Sequence, residues 1–146
     1  MADRERQLAA LLGALEADRR VVVVEGPPGI GRSWLVQELA HRWRQRGGTA
    51  VVCGVPEGAE LTAACVQGLE ALGAPAGTED PVGQLGRLLR PVGAQALLVL
   101  DDLDRADRAW PMLERLRIAA PMAAIVATSR VQQSWASAVF HALGPL

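Results

Sequence analysis

Short runs of consecutive apolar residues alternate along this chain with longer segments in which apolar residues recur every three or four positions. The short runs are rich in Val, Ile and Leu, which is typical of strands buried on both faces of a parallel sheet. They predict strands at residues 21–24, 49–52, 96–100, 122–127 and 139–143. The periodic segments predict helices at residues 4–17, from 34 to the glycine pair at 47–48, and at 59–72, 82–90, 110–119 and 132–137. Strands that alternate with helices predict a three-layer α/β fold.

A glycine-rich octet follows the first predicted strand and opens the next helix. It reads Gly26-Pro27-Pro28-Gly29-Ile30-Gly31-Arg32-Ser33. In the phosphate-binding loop pattern, glycines let backbone N–H groups face phosphate oxygens, and the helix N-terminus adds its amides and its dipole. The hydroxyl at the last position binds Mg²⁺, so Ser33 is predicted as a metal ligand. Glycine- and proline-rich turns are common between strands and helices, but the full spacing after a valine strand favours a phosphate loop.

The seventh position of this octet holds Arg32, where the phosphate-loop pattern has Lys. A lysine reaches the β- and γ-phosphates as a compact charge, whereas a guanidinium is a planar fork that favours bidentate geometry. All 15 basic residues of the chain are Arg, so this single replacement is less informative than it would be in a chain containing Lys. We expect weak or altered nucleotide binding, and we expect hydrolysis to be the more impaired of the two.

Polar residues follow two further predicted strands. Asp101 and Asp102 come after the third, in the form of an acidic pair in which one residue serves Mg²⁺ and its neighbour orients the attacking water. By themselves these two aspartates favour the N-cap of a following helix, whereas together with the glycine-rich octet upstream they favour the metal site. Thr128, Ser129 and Arg130 come after the fourth strand, where hydroxyls and a guanidinium can sense a γ-phosphate. Because ligands of open α/β sheets bind outside the carboxyl ends of the strands, we expect these groups beside the phosphate loop.

Composition and charge narrow the class of protein. With 146 residues, half of them hydrophobic, the chain suits one globular domain, and we expect residues 1–146 to form a single core. A net charge of −1 suggests no nucleic-acid surface, and we expect no direct contact with nucleic acid. Cys53 and Cys65 suit two buried thiols in a reducing compartment. No apolar run is long enough to span a membrane, so we expect a cytoplasmic protein without a membrane partner.

These motifs together resemble the nucleotide-binding core of the STAND class of signalling P-loop ATPases. This class is related to AAA+ and NB-ARC domains and includes large ATP-binding transcriptional regulators of actinobacteria. Four stretches are similar to the family's motifs in order: the N-terminal Gly-Arg-Glu motif, Walker A, Walker B and sensor 1. They are residues 3–8, 21–33, 97–104 and 125–130. The match departs from the family at Asp3, which replaces Gly, and at Arg32.

The resemblance implies a fold and a set of site residues. The fold is a three-layer P-loop NTPase of the ASCE type with a five-stranded parallel sheet in the order 5-1-4-3-2. The implied cofactors are ATP or ADP with Mg²⁺, held at the metal by Ser33 and Asp101, and the catalytic residues are Asp102 and Arg130. The nucleotide-binding residues are Arg4, whose segment lies near adenine in relatives, and Gly26, Pro27, Pro28, Gly29, Ile30, Gly31, Arg32, Ser33 and Trp34. The helix-face spacing of Trp34 also suits a core residue.

Family members continue into a lid and effector domains, so the resemblance leads us to expect a core that lacks them and works with other domains or proteins of a signalling assembly. Three functions remain open. The first is a nucleotide-binding regulatory module, favoured by Ser33, Asp101, Asp102 and Arg130. The second is a degenerate, nucleotide-free scaffold or interaction module in a signalling or defence system, favoured by Arg32. The third, a small-molecule or nucleoside kinase, is weaker because the sequence has no Arg-rich lid insert.

Overall fold

A computed structural model describes residues 2–16, 21–25, 30–55, 61–74, 80–103, 109–129 and 141–143. The helices are α1 (Ala2–Glu16), α2 (Ile30–Gln45), α3 (Leu61–Ala71), α4 (Pro81–Leu89) and α5 (Ala109–Ala119). The strands are β1 (Val21–Glu25), β2 (Thr49–Gly54), β3 (Ala96–Asp101), β4 (Ala124–Ser129) and β5 (His141–Leu143). The predicted alternation of strands and helices is therefore confirmed for the part of the chain that the structure describes.

The strands form one parallel sheet in the order β2-β3-β4-β1-β5. The four longer strands have the predicted order 1-4-3-2, with β4 between β1 and β3. The fifth position is occupied by β5, in which only three residues pair with β1. The structure therefore establishes four full strands rather than the five predicted, and of the strand predicted at 139–143 it describes only the edge segment His141–Leu143. The helix predicted at 132–137 lies outside the described residues.

Two apolar clusters lie on opposite faces of the sheet. Alternate residues of each central strand face opposite ways, so Leu98 of β3 belongs to one cluster and Val99 to the other. On one face the strands pack against α1 and α2, and on the other against α3, α4 and α5. Every residue of β4 and all but the last of β3 is buried, as expected for strands covered on both faces. The predicted three-layer arrangement is confirmed.

Element ends differ from the prediction where turn chemistry decides them. The fourth strand was predicted to begin at residue 122, but β4 begins at Ala124, and Met122 is 53% exposed. The Ala123 amide bonds the Ala120 carbonyl at 3.1 Å, which closes a turn with Pro121 at its second position, where proline is favoured. Local interactions also set the start of α4. The Asp80 side chain accepts a hydrogen bond from the Val82 amide, and Pro81 occupies the first helical position.

Candidate functional site

The carboxyl ends of β1, β3 and β4 lie side by side. Glu25, the last residue of β1, pairs with Ser129, the last residue of β4. On the other side of β4, Ala127 pairs with Leu100, one residue before the end of β3. The carboxyl ends of three separate predicted strands are therefore brought to one edge of the sheet. Thr128, which pairs with Val24, stands between the strand that leads into the glycine-rich octet and the strand that carries the aspartates.

The glycine-rich octet spans the junction between β1 and α2. Its residues Gly26, Pro27, Pro28 and Gly29 lie outside the described residues. Its second half, from Ile30 to Ser33, forms the first turn of α2, which places the backbone of Arg32 and Ser33 at a helix N-terminus. That first turn contains no acidic residue. The unsatisfied amides and the positive dipole end of such a turn favour an anion, so the local electrostatics suit phosphate.

A hydroxyl bridge links β4 to the aspartate pair. The Thr128 hydroxyl donates a hydrogen bond to Asp101 Oδ1 at 2.5 Å. The backbone amide of Asp102 donates to the same hydroxyl oxygen at 2.9 Å. One threonine therefore contacts the carboxylate of the predicted metal ligand and the backbone of the predicted water-orienting residue. The sequence suggested that the Thr128 hydroxyl can sense a γ-phosphate, which stays a prediction; in the structure this hydroxyl contacts the aspartates.

The backbone at Asp102 has an uncommon conformation. Its φ is +65°, and it is the single non-glycine residue with positive φ among the described residues. Most side chains are strained in this left-handed region, whereas Asp and Asn enter it more readily. Uncommon backbone conformations cluster at functional sites, where the surrounding structure holds them in place. The strand therefore ends abruptly between Asp101 and Asp102.

Two polar residues at the end of β4 are fully buried. Thr128 and Ser129 both have 0% of their surface exposed and extend an otherwise apolar strand. A buried hydroxyl costs free energy unless it is hydrogen-bonded, and Thr128 meets that requirement through Asp101 and Asp102. The sequence signal for this bridge was a hydroxyl at the end of a hydrophobic strand. That pattern did not reveal which neighbouring strand the hydroxyl would contact.

Three predicted site residues, in other parts of the chain, remain to be placed. Trp34 follows the first turn of α2, is partly buried, and packs against the apolar cluster formed by α1, α2 and the sheet. Arg4 lies in α1, which packs on the same face as α2, while Arg130 lies outside the described residues. Their predicted contacts with a nucleotide stay predictions.

The donors at this edge fit a magnesium ion bound together with phosphates. Mg²⁺ prefers oxygen ligands and is usually held by one or two carboxylates, water and substrate phosphates rather than by a cage of protein groups. Asp101 supplies such a carboxylate at the strand end beside Thr128. Among the described residues, no group of three or more His, Cys, Asp or Glu side chains could hold a metal by itself.

The two cysteines lie in the apolar cluster that α3, α4 and α5 cover. Cys53 and Cys65 are buried and form no disulfide, which confirms the predicted buried thiols. Burial raises the pKa of Cys53 to about 11 and, with an added contribution from Cys53, raises the pKa of Cys65 to about 12. Both thiols therefore stay protonated and unreactive near neutral pH. In the described part of the chain, no helix has the length and apolar character needed to cross a bilayer.

Residues 2–121 match the family model described as "AAA ATPase domain". This range includes α1, the glycine-rich octet and the aspartates, and it ends before β4. No curated protein matches the chain significantly.

Solved structures with the same fold include replication proteins. Drosophila ORC bound to AT-rich DNA and Cdc6 matches all of this chain, with a TM-score of 0.58 and 13% identity. A DNA replication initiation factor matches 94% of it, with a TM-score of 0.59 and 15% identity. Drosophila ORC bound to DNA matches 99%, with a TM-score of 0.60 and 13% identity. The present chain spans 58%, 44% and 89% of these three chains, respectively. At such low identity, the likeness concerns the fold.

These structures correct one prediction made from charge. The net charge of −1 led us to expect no direct contact between this domain and nucleic acid. That inference is wrong, because Drosophila ORC chains with this fold are found in structures bound to DNA. Net charge sums the whole surface, whereas a nucleic-acid contact depends on where the basic residues lie. A near-neutral total therefore excludes nothing for a chain with 15 arginines.

Proposed function

The chain belongs to the AAA ATPase domain family, and on that premise we propose that it is an ATP- and ADP-binding regulatory module with weak or impaired hydrolysis. The observation that carries this proposal is the edge where β1, β4 and β3 end together. There the first turn of α2 continues from the glycine-rich octet, and the Asp101 carboxylate lies one strand away, bonded to Thr128. A helix N-terminus for phosphate and a carboxylate for Mg²⁺ are the two components that a bound Mg²⁺-nucleotide requires.

Each site residue has a role in this proposal. Residues 26–33 and Trp34 hold the phosphates, with the Arg32 guanidinium as their counter-charge, and Arg4 contributes on the adenine side. Ser33 and Asp101 hold Mg²⁺, which when bound neutralises charge on the phosphates. Asp102 orients water, and Arg130 stabilises charge at the γ-phosphate. These assignments rest on the resemblance to STAND motifs. They are proposed for a chain of the AAA ATPase domain family.

Arg32 is the reason to propose impaired hydrolysis. A guanidinium retains the positive charge that attracts phosphate, but its planar fork does not present charge at the point where a lysine ammonium does. Phosphoryl transfer depends almost entirely on positioning and electrostatic stabilisation, so a displaced charge affects turnover more than binding. Nucleotide occupancy with slow turnover suits a module that reports its bound nucleotide.

The STAND-type signalling role, including a role in transcription regulation, is the finer part of the proposal. In STAND relatives, exchange of ADP for ATP shifts the core between two states, and a ligand shifts such an equilibrium only through differential affinity. We propose that residues 1–146 form one core domain, because both apolar clusters share a single sheet. Because structures with the same fold contain DNA, we do not propose that this domain avoids nucleic acid.

The test is a titration of ATP and of ADP, each with Mg²⁺, against this chain and against Arg32→Lys, followed by a hydrolysis assay on both. We expect both proteins to bind, with the Lys variant binding more tightly and hydrolysing faster. Ser33→Ala in each background is the matched control and should lower the benefit of Mg²⁺ while the fold persists. Hydrolysis by the parent chain at the rate of Arg32→Lys would contradict the proposed impairment.

Arg32 also supports a second candidate, a nucleotide-free scaffold or interaction module of a signalling or defence system. The same titration separates the two candidates. If the parent binds neither nucleotide and Arg32→Lys binds both, the native site has lost nucleotide binding and the scaffold is favoured. If neither protein binds, the nucleotide-binding proposal fails for this chain.

A further inference from the structure

Thr128 occupies a position from which it contacts both members of the aspartate pair. It lies in β4, paired with β1 on one side, while its hydroxyl reaches Asp101 on the other side. The backbone ladder between β3 and β4 ends at the pairing of Leu100 with Ala127. Beyond that pair, the hydrogen bond from the Thr128 hydroxyl to Asp101 links the two strands.

The bonding capacity of this hydroxyl limits what else it can do. A threonine hydroxyl has one proton to donate and two lone pairs to accept with. The proton goes to Asp101 Oδ1, and one lone pair accepts the Asp102 amide. Because the donated proton is engaged, Thr128 has none left to give to a phosphate oxygen in this arrangement. Any influence of the hydroxyl proton on a bound nucleotide therefore passes through Asp101.

The bridge also holds the unusual backbone step at the end of β3. Asp101 is the last residue of the strand, and Asp102 lies in the left-handed region with φ of +65°. The amide that bonds Thr128 belongs to Asp102, so the hydrogen bond acts on the residue whose conformation is strained. The Thr128 side chain therefore restrains both the rotation of the Asp101 carboxylate and the backbone of Asp102.

We propose that Thr128 is a positioning residue that sets how strongly Mg²⁺ strengthens nucleotide binding, through the hydroxyl bridge from β4 to Asp101 and Asp102. This inference rests on the proposed nucleotide site. It changes the role of the Thr128 hydroxyl from a sensor of phosphate to an organiser of the metal-side carboxylate. A purely structural role would make a different prediction, because a buried hydroxyl that only satisfies its neighbours affects stability and all nucleotide binding alike.

The experiment uses Thr128→Val, which keeps the shape and removes the hydroxyl, and Thr128→Ser, which keeps the hydroxyl. ATP affinity is measured with Mg²⁺ and with EDTA, and the ratio of the two is the Mg²⁺ enhancement. We expect Thr128→Val to lower that enhancement about tenfold, with affinity in EDTA within about twofold of the parent. Thr128→Ser should keep the Mg²⁺ enhancement within about threefold of that of the parent. The series is repeated in the Arg32→Lys background, where binding is expected to be tighter.

A double variant checks that Thr128 acts through the carboxylate. In Asp101→Asn, adding Thr128→Val should change the Mg²⁺ enhancement by less than about twofold, because the group being positioned is already altered. Thermal melting confirms folding of each variant, and Thr128→Ala replaces Thr128→Val if the latter does not fold.

Three results would overturn the proposal while leaving the nucleotide site intact. They are an unchanged enhancement in Thr128→Val, an equal loss of affinity with Mg²⁺ and with EDTA, and failure of Thr128→Ser to restore the enhancement. A different result marks failure of the proposed function itself: neither the parent nor Arg32→Lys binds ATP under either condition. That outcome overturns both proposals together.

Discussion

The middle and the carboxyl ends of β3 and β4 are two regions of the same strands with opposite chemistry. In the middle, residues such as Leu98 and Val126 are fully buried in apolar clusters on the two faces of the sheet. A few residues further along, the same strands carry Asp101 and Thr128, whose side chains are joined by a hydrogen bond, and the buried Ser129. The first region satisfies every local rule of a buried strand, and the second departs from those rules.

This difference separates the part of the molecule that maintains the fold from the part that provides chemistry. Apolar burial is nondirectional and tolerates small shifts, whereas a buried hydroxyl or a left-handed aspartate requires specific partners. Departures from local consistency are expected at functional sites and are supported by the stability of the rest. The clusters on both sides of the sheet are therefore what allows the strand ends to hold polar groups in fixed positions.

Truncating a side chain in the middle of β3 should have the largest effect on stability. Leu98 is completely buried between the sheet and α3, α4 and α5. Leu98→Ala is expected to lower the free energy of unfolding by about 2–5 kcal/mol, because it removes apolar contacts and leaves a cavity. Denaturant unfolding measures the change.

The matched control for that variant is Leu88→Ala, since Leu88 of α4 is 37% exposed. Its cost should be about 1 kcal/mol or less, because less apolar area leaves water. Equal losses in the two variants would contradict the distinction between an apolar core and the surface.

High pH should destabilise the protein through the two buried thiols. Their ordinary pKa of 9.0 is raised by burial to about 11 in Cys53 and about 12 in Cys65. Above pH 9 the unfolded chain releases thiol protons that the native state retains, so stability falls as pH rises. The slope is about 1.4 kcal/mol per pH unit for each thiol until the native pKa is reached. Below pH 9 the thiols contribute no pH dependence.

The measurement is the free energy of unfolding between pH 8 and pH 11 for the parent and for a Cys53→Ala, Cys65→Ala double variant. The difference between the two proteins should narrow as pH rises through this window. A difference in unfolding free energy that stays constant with pH would contradict the raised pKa of the thiols. It would mean that water reaches them in the folded state.

The strand-end backbone should discriminate between substitutions by shape. Asp102→Asn keeps a side chain that tolerates the left-handed region and should change the free energy of unfolding by less than about 1 kcal/mol. Asp102→Val places a β-branched residue at φ of +65° and should cost about 1–2 kcal/mol more than the Asn variant. Thermal or denaturant unfolding of the pair gives this difference. Equal stabilities would mean that the strand end carries no backbone strain.

Much of the fold was predictable because its signals are local. The four-valine run of β1, the aliphatic run of β3 and the helix periodicities each specify an element without knowledge of its neighbours. The start of β4 was predicted two residues early because Met122 continues an apolar run, while Pro121 makes it part of a turn. The sheet order came from resemblance and not from pattern, since periodicity says nothing about which strands pair.

The candidate site was predictable in its location but not in its connections. The convergence of Glu25, Asp101 and Ser129 on one edge follows from parallel strands, so the octet and the aspartates were expected together. The direction of the Thr128 hydroxyl and the positive φ of Asp102 depend on tertiary neighbours that no single segment encodes. Nucleic-acid contact was misjudged because net charge carries no positional information.

We propose that the carboxyl ends of β1, β3 and β4 form a Mg²⁺-nucleotide site. The most direct test is the affinity for ATP with Mg²⁺ and with EDTA in the parent and in Asp101→Asn. Glu38→Gln is the control, because Glu38 lies on α2, where it pairs with Arg42. We expect Asp101→Asn to lose about tenfold or more of the Mg²⁺ enhancement with little change in EDTA, while Glu38→Gln behaves like the parent. An enhancement in Asp101→Asn equal to that of the parent would contradict this proposal.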